Sequence, residues 1–460
     1  MNRKLLQGTA VAVVCLGLAQ CTASTTTTDG PPTAFAVVRM SADGVIDTSF
    51  GGTGIVVTDV DPPLLDFALA VAIQDSKTSV NDNKIVAAGS DGLGGQGKIA
   101  LVRYNPDGTL DKAGFGTVGS GIVFTTLASP ASASAIALQP DSKILVAALT
   151  VTSTMASPTG FNTSITLLRY NTDGSLDTAG FGAPTGFVSV PIGTGLAGDV
   201  CALALQPDKN IVVAGGSQNG NIVIARFAPD GTPDSTFAGT GMTTTSLGPS
   251  TSAMSPAIAL QSDGRIIVAG GRTDKTDPSN PKTDQVLLRY GTNGALDIAF
   301  GGAPGGIVIT DIRTSDNYAN AVAVQPVDDK IVVAGHVFGN GDGADISLVK
   351  YGKDGAPDTS FNGTGILTTD LGFTDNAFAL LLQTQLVGEP KIVVSGNFGN
   401  GGVANTFVRR YNPAGTFDPT FGTNGQITVP RVGPAFIASG SAMALQTTGS
   451  SVSIVVAGYD

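Results

Sequence analysis

Arg103-Tyr104-Asn105-Pro106-Asp107-Gly108-Thr109-Leu110-Asp111, followed by Phe115, is the stretch from which the rest of the chain can be read. The same unit recurs seven times. Its basic residue stands at Arg39, Arg103, Arg169, Arg226, Arg289, Lys350 and Arg410. A glycine follows five residues later at Gly44, Gly108, Gly174, Gly231, Gly294, Gly355 and Gly415. An aspartate follows three residues after that, at Asp47, Asp111, Asp177, Asp234, Asp297, Asp358 and Asp418. A repeat of about 60 residues is one supersecondary unit that must stack on its neighbours to bury its faces.

Three further apolar runs lie between successive units, so each period supplies four strands. In the second period they are Ala133 to Gln139, Lys143 to Ala148, Ser164 to Tyr170 and Gly186 to Pro191. The first ends in glutamine each time, at Gln74, Gln139, Gln206, Gln261, Gln325, Gln383 and Gln446. The second recurs as Lys84-Ile85-Val86-Ala87-Ala88-Gly89, Lys330-Ile331-Val332-Val333-Ala334-Gly335 and Ser453-Ile454-Val455-Val456-Ala457-Gly458. Continuous apolar strands suit sheets buried on both faces, which four-stranded blades around an axis provide. The fold class is therefore all-β, a seven-bladed propeller over residues 34–460. Alanine-rich first strands suit the crowded axis, and threonine-rich fourth strands such as Met242 to Ser246 suit the outer edge. The chain opens this region with a third strand, Phe35 to Met40, and ends with a second, Ile454 to Gly458. The last blade must therefore join strands from both termini. Antiparallel order puts the repeated turns on one rim and the variable loops, from Gly216–Gly220 to Val151–Thr163 and Arg272–Thr283, on the other. Variable loops on a rigid scaffold are where recognition is expected.

Only 13% of the 460 residues are charged and 62 are glycine, a composition of short strands and tight turns. Glu389 is the sole glutamate. Arg3 and Lys4 precede an apolar run, Leu5 to Ala19, of the kind that opens an export signal (1–21). Leu18-Ala19-Gln20-Cys21 resembles a bacterial lipoprotein cleavage box, with Gln20 departing from the usual small residue, which makes Cys21 the candidate for lipidation. Thr22 to Thr33 reads as a tether. The expected location is outside the cytoplasm, as a surface lipoprotein or a secreted monomer, touching membrane only through that lipid. The body then keeps Cys201 alone, so no internal disulfide forms. A net charge of −11 opposes nucleic-acid binding.

The repeated Arg103, Gly108, Asp111, Phe115 and Gln139 are assigned to scaffold, because a catalytic centre is needed once and these recur in every blade. Asp-Gly builds a turn that needs positive φ, and the basic residue is placed to pair with the aspartate eight residues on. Asn105, Asp107, Thr109 and Asp111 alternate oxygens like a calcium loop, but lack its carboxylate density and closing glutamate. Asp66, Asp199, Asp316 and Asp375 each precede a first strand, near the channel mouth. Together they are the candidate cation set, calcium by their chemistry, with turn capping as the alternative. No other cofactor is expected. Gly92-Leu93-Gly94-Gly95-Gln96-Gly97 matches a dinucleotide fingerprint by letter but leads into a strand, so it lacks the helix N-terminus that would hold a pyrophosphate. His336, the only histidine, follows Gly335 where a variable-rim loop is expected to begin.

The units Leu138 to Ala147 and Arg169 to Asp177 closely resemble the delta-60 repeat, a bacterial β-propeller family of unknown function. Met40 and Phe227 depart from its tyrosine, Asn293 and Ala414 from its turn aspartate, and residues 447–453 from its last turn. The resemblance implies a secreted or surface-attached propeller with no assigned reaction. Tryptophan, which quinone-binding and sialidase-like propellers carry in their repeats, is absent. The expectation is a non-catalytic scaffold that binds a protein or surface partner through its variable rim. The alternatives are a hydrolase-like enzyme using carboxylates such as Asp316 and Asp375 at the channel mouth, with or without a metal, and a purely structural surface protein.

Overall fold

The computed structural model describes residues 33–460 except 63, 75–82, 93–96, 117–118, 153–160, 196–200, 218, 249–250, 278, 280, 303, 340–342, 373, 386–387, 401–402, 432–438, 450 and 460. The predicted signal with Cys21, and the predicted tether up to residue 32, lie outside the described residues. After β1 (Phe35–Ser41) and β2 (Ile55–Thr58), blade 1 comprises β3 (Asp66–Gln74), β4 (Lys84–Asp91), β5 (Lys98–Tyr104) and β6 (Ile122–Thr125). The same antiparallel order repeats in blades 2 to 6, whose first strands are β7 (Ala131–Leu138), β11 (Cys201–Leu205), β15 (Thr251–Leu260), β19 (Asn317–Val324) and β23 (Thr374–Gln383). Blade 7 is β27 (Ser439–Thr448), β28 (Ser451–Tyr459), β1 and β2, with β1 paired to β28 from Phe35–Tyr459 to Ser41–Ser453. Each first strand contacts the next, and β27 contacts β3, which closes the ring. The array is the expected seven-bladed propeller, latched by its two ends.

The repeated unit builds the joints between blades. Each arginine pairs with its own aspartate eight residues on, at 2.6–2.8 Å, and Lys350 lies 3.7 Å from Asp358. Each basic side chain also donates to a carbonyl three residues past the next basic residue. Arg39 reaches Pro106, Arg103 Thr172, Arg169 Pro229, Arg226 Thr292, Arg289 Lys353, Lys350 Pro413 and Arg410 Ala42. The six guanidinium groups sit 4.5–4.9 Å above the rings of Phe50, Phe115, Phe181, Phe237, Phe300 and Phe421. The next unit's glycine packs on each ring. A Cβ there would lie 2.7–3.1 Å from the preceding phenylalanine, and φ runs from +79° to +94°. Gln74 links the same parts, accepting from Arg103 and donating to the Ser142 carbonyl of blade 2.

Sequence exceptions are matched by changes in their partners. Tyr104, Tyr170, Tyr290, Tyr351 and Tyr411 hydrogen-bond to Thr58, Thr125, Thr245, Thr310 and Thr369, at the fourth residue of the preceding blade's outer strand. Where tyrosine gives way to Phe227 or Met40, that threonine gives way to Val190 or Val429, packed in the same apolar cluster. Otherwise a buried hydroxyl would lose its partner. In blade 5 the arginine becomes the wholly buried Lys350, whose ammonium lacks the fork that elsewhere spans aspartate, carbonyl and glutamine. Glu389, in the next blade's first turn, compensates at 2.5 Å from Lys350 and 2.9 Å from Lys330. This accounts for the chain's only glutamate.

Strands extend further toward the variable rim than their apolar runs. β8 (Ile144–Thr152) and β9 (Phe161–Tyr170) outrun the expected bounds. β16 (Ile266–Asp274) and β17 (Lys282–Tyr290) absorb both ends of the loop expected over 272–283 and leave only residues 275–281 between them. Cross-strand bonds such as Thr273 to Thr283 at 2.9 Å carry pairing beyond the core.

Two predictions test these joints. Gly108→Ala adds a Cβ 2.7 Å from the Gly51 nitrogen at φ +90°, whereas Gly52→Ala, at φ +81°, meets nothing within 4 Å. Urea unfolding should show a cost of about 1–2 kcal/mol for Gly52→Ala from backbone strain alone and clearly more for Gly108→Ala. Equal costs would mean that the turn does not pack on the preceding blade. Burial raises the Glu389 carboxyl, but hydrogen bonds from Lys350 and Lys330 outweigh it and hold the group below its ordinary range. A depressed folded-state pKa stabilises above the unfolded value and is lost as pH falls through the folded one. Glu389→Gln should therefore lower Tm at pH 7, and the difference should vanish near pH 2.

Candidate functional site

The axial end of six blades is shaped by a bulge, whereas in blade 3 the described pairing of β11 with its neighbour runs without a shift. Pairing of the first strand with the second slips between Ala68 and Ala70, Ala133 and Ala135, Met254 and Ala257, Ala319 and Ala321, Ala377 and Ala379, and Gly440 and Ala442. The bulge pushes a carbonyl toward the second strand. A Cβ on Gly89, Gly335, Gly396 or Gly458 would lie 1.6–1.8 Å from the carbonyl oxygen of Phe67, Tyr318, Asn376 or Ser439. The glycine that closes the repeated apolar run fits this approach in those four blades, whereas blade 2 carries Ala148 opposite its bulge; the recurrence of that glycine was the available signal.

The five single-residue bulges hold Leu69, Ser134, Asn320, Phe378 and Ser441. Phe378 packs on the Phe67 and Leu69 pair, joined by Leu65 and Tyr459. Blades 6 and 1 are not neighbours in the ring, so this contact lies across the axis. The flanking alanines instead enter the cores between blades, as Ala68 and Ala70 do on opposite sides of blade 1. The expectation that alanine lines the axis is corrected: alanine permits close blade packing, and the bulge residue faces the channel.

Blade 5 adds an aromatic cluster. His336 lies inside β20 (Ile331–Phe338), not at a loop start as expected, because pairing with Tyr318 and Ile346 carries the strand past Gly335. Its ring stacks on Tyr318 at 4.7 Å and 13°, with Phe338 edge-on at 5.5 Å. Asn320 donates to the Ala377 carbonyl and lies 3.1 Å from His336 Nδ1, an arrangement that leaves the imidazole proton on Nε2. Burial pushes the imidazole down to about 4. At neutral pH it is therefore an uncharged ring in a half-buried, largely apolar setting.

The predicted carboxylates do not meet around the axis. Asp199 lies outside the described residues. Asp66 is buried at the start of β3 and accepts the Val60 N–H at 2.8 Å. Asp316 accepts the Thr283 N–H at 2.7 Å. Asp375 is buried, accepts the Leu371 N–H, and has carboxylate oxygens of Asp345 and Asp370 within 4.8 Å. Each serves its own junction because strand alternation turns these positions between blades, while the bulge residue takes the axis. Arg313 binds Asp345, so that acidic group has its own cation. Burial raises Asp66 to about 7, against the Val60 bond, with Asp91 and Asp59 adding to the rise. Asp107 is occupied by Thr109, and Asp111 by Lys84 and Arg103, which leaves the alternating oxygens of that turn engaged. The glycine-rich match at 92–97 joins β4 to β5, strand to strand, with 93–96 outside the described residues. Cys201 opens β11.

The profile of the domain of unknown function (DUF5122) beta-propeller matches residues 22–50, 81–113, 139–179, 206–237, 261–300, 328–361 and 391–421, more than half of the chain. The chain belongs to this family. The matched segments cover the second and third strands of blades 1 to 6, the third strand of blade 7 and the repeated turn, and all five bulge residues fall outside them. Comparison with curated protein sequences finds no match. Among solved structures, a protein of unknown function from Dyadobacter fermentans is 13% identical over 71% of this chain and 93% of that one, with a TM-score of 0.38. An α-L-arabinanase from Penicillium chrysogenum, solved with arabinobiose, is 11% identical over 70% and 91%, with a TM-score of 0.36. A GH43 endo-arabinanase from Bacillus licheniformis is 13% identical over 67% and 92%, with a TM-score of 0.27. At these values the likeness assigns neither ligand nor reaction.

The single histidine makes the blade 5 cluster directly measurable. A proton NMR titration should show one imidazole with a pKa of about 4. Tyr318→Ala, which uncovers a ring face, should move it toward the ordinary value of about 6.5. Between those values the unfolded chain binds a proton that the native one refuses, so the associated stability is complete above pH 6.5 and lost as pH falls toward 4. A native pKa near 6.5 would show that the ring is solvated.

Proposed function

We propose that the protein is an exported, non-catalytic propeller that binds a protein or other surface partner in the cell envelope through its variable rim and the axial floor beneath it. The division of labour between the rims is the observation that supports this reading. On the repeat rim each of the seven repeated basic residues is committed to its own aspartate and to the next blade. These side chains are largely buried, at most 11% exposed, and so are held inside the joints. On the opposite rim the loops differ in length, and the axial positions change chemistry from blade to blade over a constant backbone. At the bulges Leu69 and Phe378 are apolar where Ser134, Asn320 and Ser441 are polar, and beside Asn320 the Tyr318, His336 and Phe338 rings pack together. A rigid scaffold with varied side chains suits recognition. The basic start, the apolar run and Cys21 are the grounds for placing it in the envelope.

The test is crosslinked capture from intact envelopes. Partners recovered by the wild type should be lost when residues 275–281 are replaced, or when Asn320→Ala and Phe378→Ala are combined. They should be retained by Val45→Ser, an exposed repeat-rim change. The same partners in all three variants would defeat the proposal, and turnover abolished by the axial pair would favour an enzyme instead.

A further inference from the structure

The N-terminal segment is fastened to the ring at the start of β3. The Asp66 N–H donates to the Thr33 carbonyl at 3.1 Å, and Thr33 Oγ1 donates to the Asp66 carbonyl at 3.0 Å. The residue that carries this joint is a buried acid. Asp66 stands directly opposite Asp91, the last residue of β4, and their relative exposures are 0% and 1%. Like charges placed opposite each other in a sheet destabilise the pairing. Asp66 Oδ2 accepts the Val60 N–H at 2.8 Å, whereas Oδ1 accepts no hydrogen bond among the described residues.

Among the described residues no ion pair reaches Asp66. The Lys98 ammonium of β5 is engaged instead by Asp91 at 3.3 Å and Asp61 at 3.1 Å. Asp59, which follows β2, adds a second negative charge to that of Asp91, and both favour a proton on Asp66. The neighbouring strands of blades 2 and 7 bring no charge to this end: β7 begins Ala131-Ser132, β27 begins Ser439-Gly440, and β28 contributes Tyr459 against the Phe67 ring. The scaffold does not require opposed acids here. The equivalent pair is Ala131 and Thr150 in blade 2, Asn317 and Val337 in blade 5, and Asp375 and Phe398 in blade 6.

We propose that Asp66 is a proton-operated catch for the N-terminal segment, closed when the carboxyl is neutral and released when it ionises opposite Asp91. Neutral, Asp66 keeps Oδ2 on the Val60 N–H and carries its proton on the unbonded Oδ1. Ionised, it sets two like charges side by side in a buried joint, and relief comes only if the start of β3 swings toward water. That movement breaks the two Thr33 bonds, so the segment leading into β1 loosens with it. Burial, together with Asp91 and Asp59, raises the Asp66 carboxyl to about 7, which places the change near neutrality. A folded-state pKa above the unfolded value gives stability that is complete below the unfolded one and lost as pH rises through the folded one. The strand that completes the ring is therefore held more firmly below neutral pH than above it. The catch does not depend on the proposed partner.

The experiment is hydrogen exchange of the purified protein from pH 5 to 9, followed at the Asp66 amide and through β1, with rates corrected for intrinsic exchange. In the wild type, opening at both places should grow by up to about tenfold per pH unit below about 7, because the opened state gives up the proton, and level off above it. Asp66→Asn cannot ionise and should lose this dependence, with a Tm gain over the wild type that is larger at pH 9 than at pH 5. Asp91→Asn removes the opposing charge and leaves the Thr33 bonds in place, so it should move the midpoint to lower pH. A wild-type profile that is flat from pH 5 to 9 overturns the catch. So does an Asp66→Asn profile that keeps the wild-type dependence, or an Asp91→Asn midpoint that does not fall. The wild-type profile and the Asp91→Asn shift decide the matter even where Asp66→Asn does not fold.

Discussion

The bridge from each basic residue to the next blade is the constraint on which the structure depends. A guanidinium at the end of the third strand pairs with its own aspartate, caps its own phenylalanine and hydrogen-bonds the following blade's turn. That turn can approach only because its glycine has no Cβ to strike the ring. Each blade thus presents a flat aromatic surface and receives a flat turn in exchange. The contact is heterologous, head to tail, and such contacts either close or run on as a filament. Here they close after seven, when Arg410 reaches Ala42, 368 residues away. Breaking a buried ion pair by removing one partner costs about 3–5 kcal/mol. The bridges are less independent than seven such costs would suggest, because neighbouring sites that share partners do not add.

Blade number, strand order, ring closure and rim assignment were legible in the sequence because the repeat states them seven times. The scaffold role of Arg103, Asp111, Gly108 and Gln139 was legible on the same ground. The inter-blade half of each contact was not, because a period shows what recurs and not which copy touches which. The exchange of Tyr and Thr for Phe227 and Val190, or Met40 and Val429, was present in the letters. Its meaning required knowing that a third strand faces the preceding blade's outer strand. In blades 1, 2, 5 and 6 the bulge shows in sequence as Ala-x-Ala ahead of the glutamine. Read without pairing it suggests small residues at the axis, whereas the middle residue turns inward and can be as large as Phe378. The grouping of Asp66, Asp316 and Asp375 failed for the same reason. Proximity in the repeat is not proximity in the ring, and strand alternation sent these side chains between blades.

The same physics explains where variation is tolerated. A residue that bridges two blades has partners on both, so changing it requires a compensating change elsewhere. The Lys350 and Glu389 pair is one such compensation, and it leaves the buried Gln325 amide without a hydrogen bond among the described residues. A bulge residue has no cross-strand partner, so its identity is set by its local contacts, such as Asn320 to the Ala377 carbonyl or Phe378 on Phe67 and Leu69, and not by the repeat. The backbone distortion that creates that freedom is held by a glycine on the adjacent strand and the small residues on either side. The scaffold thus supplies positions near the axis whose chemistry can change without disturbing the blades.

Closure by the two termini makes blade 7 different in kind from the others. Blades 1 to 6 are each one continuous stretch of chain, whereas blade 7 exists only when β1 finds β28. Loop-closure entropy must be met before those bonds form, though its cost grows slowly with chain length. Contacts that form late slow unfolding more than they speed folding. Whatever fastens the N-terminal segment to the ring therefore acts on the lifetime of the closed state. Thr33 does this through its two hydrogen bonds to Asp66. Asp66 thus ties the segment that leads into the last blade to the first strand of blade 1, so that the joint spans the closure of the ring.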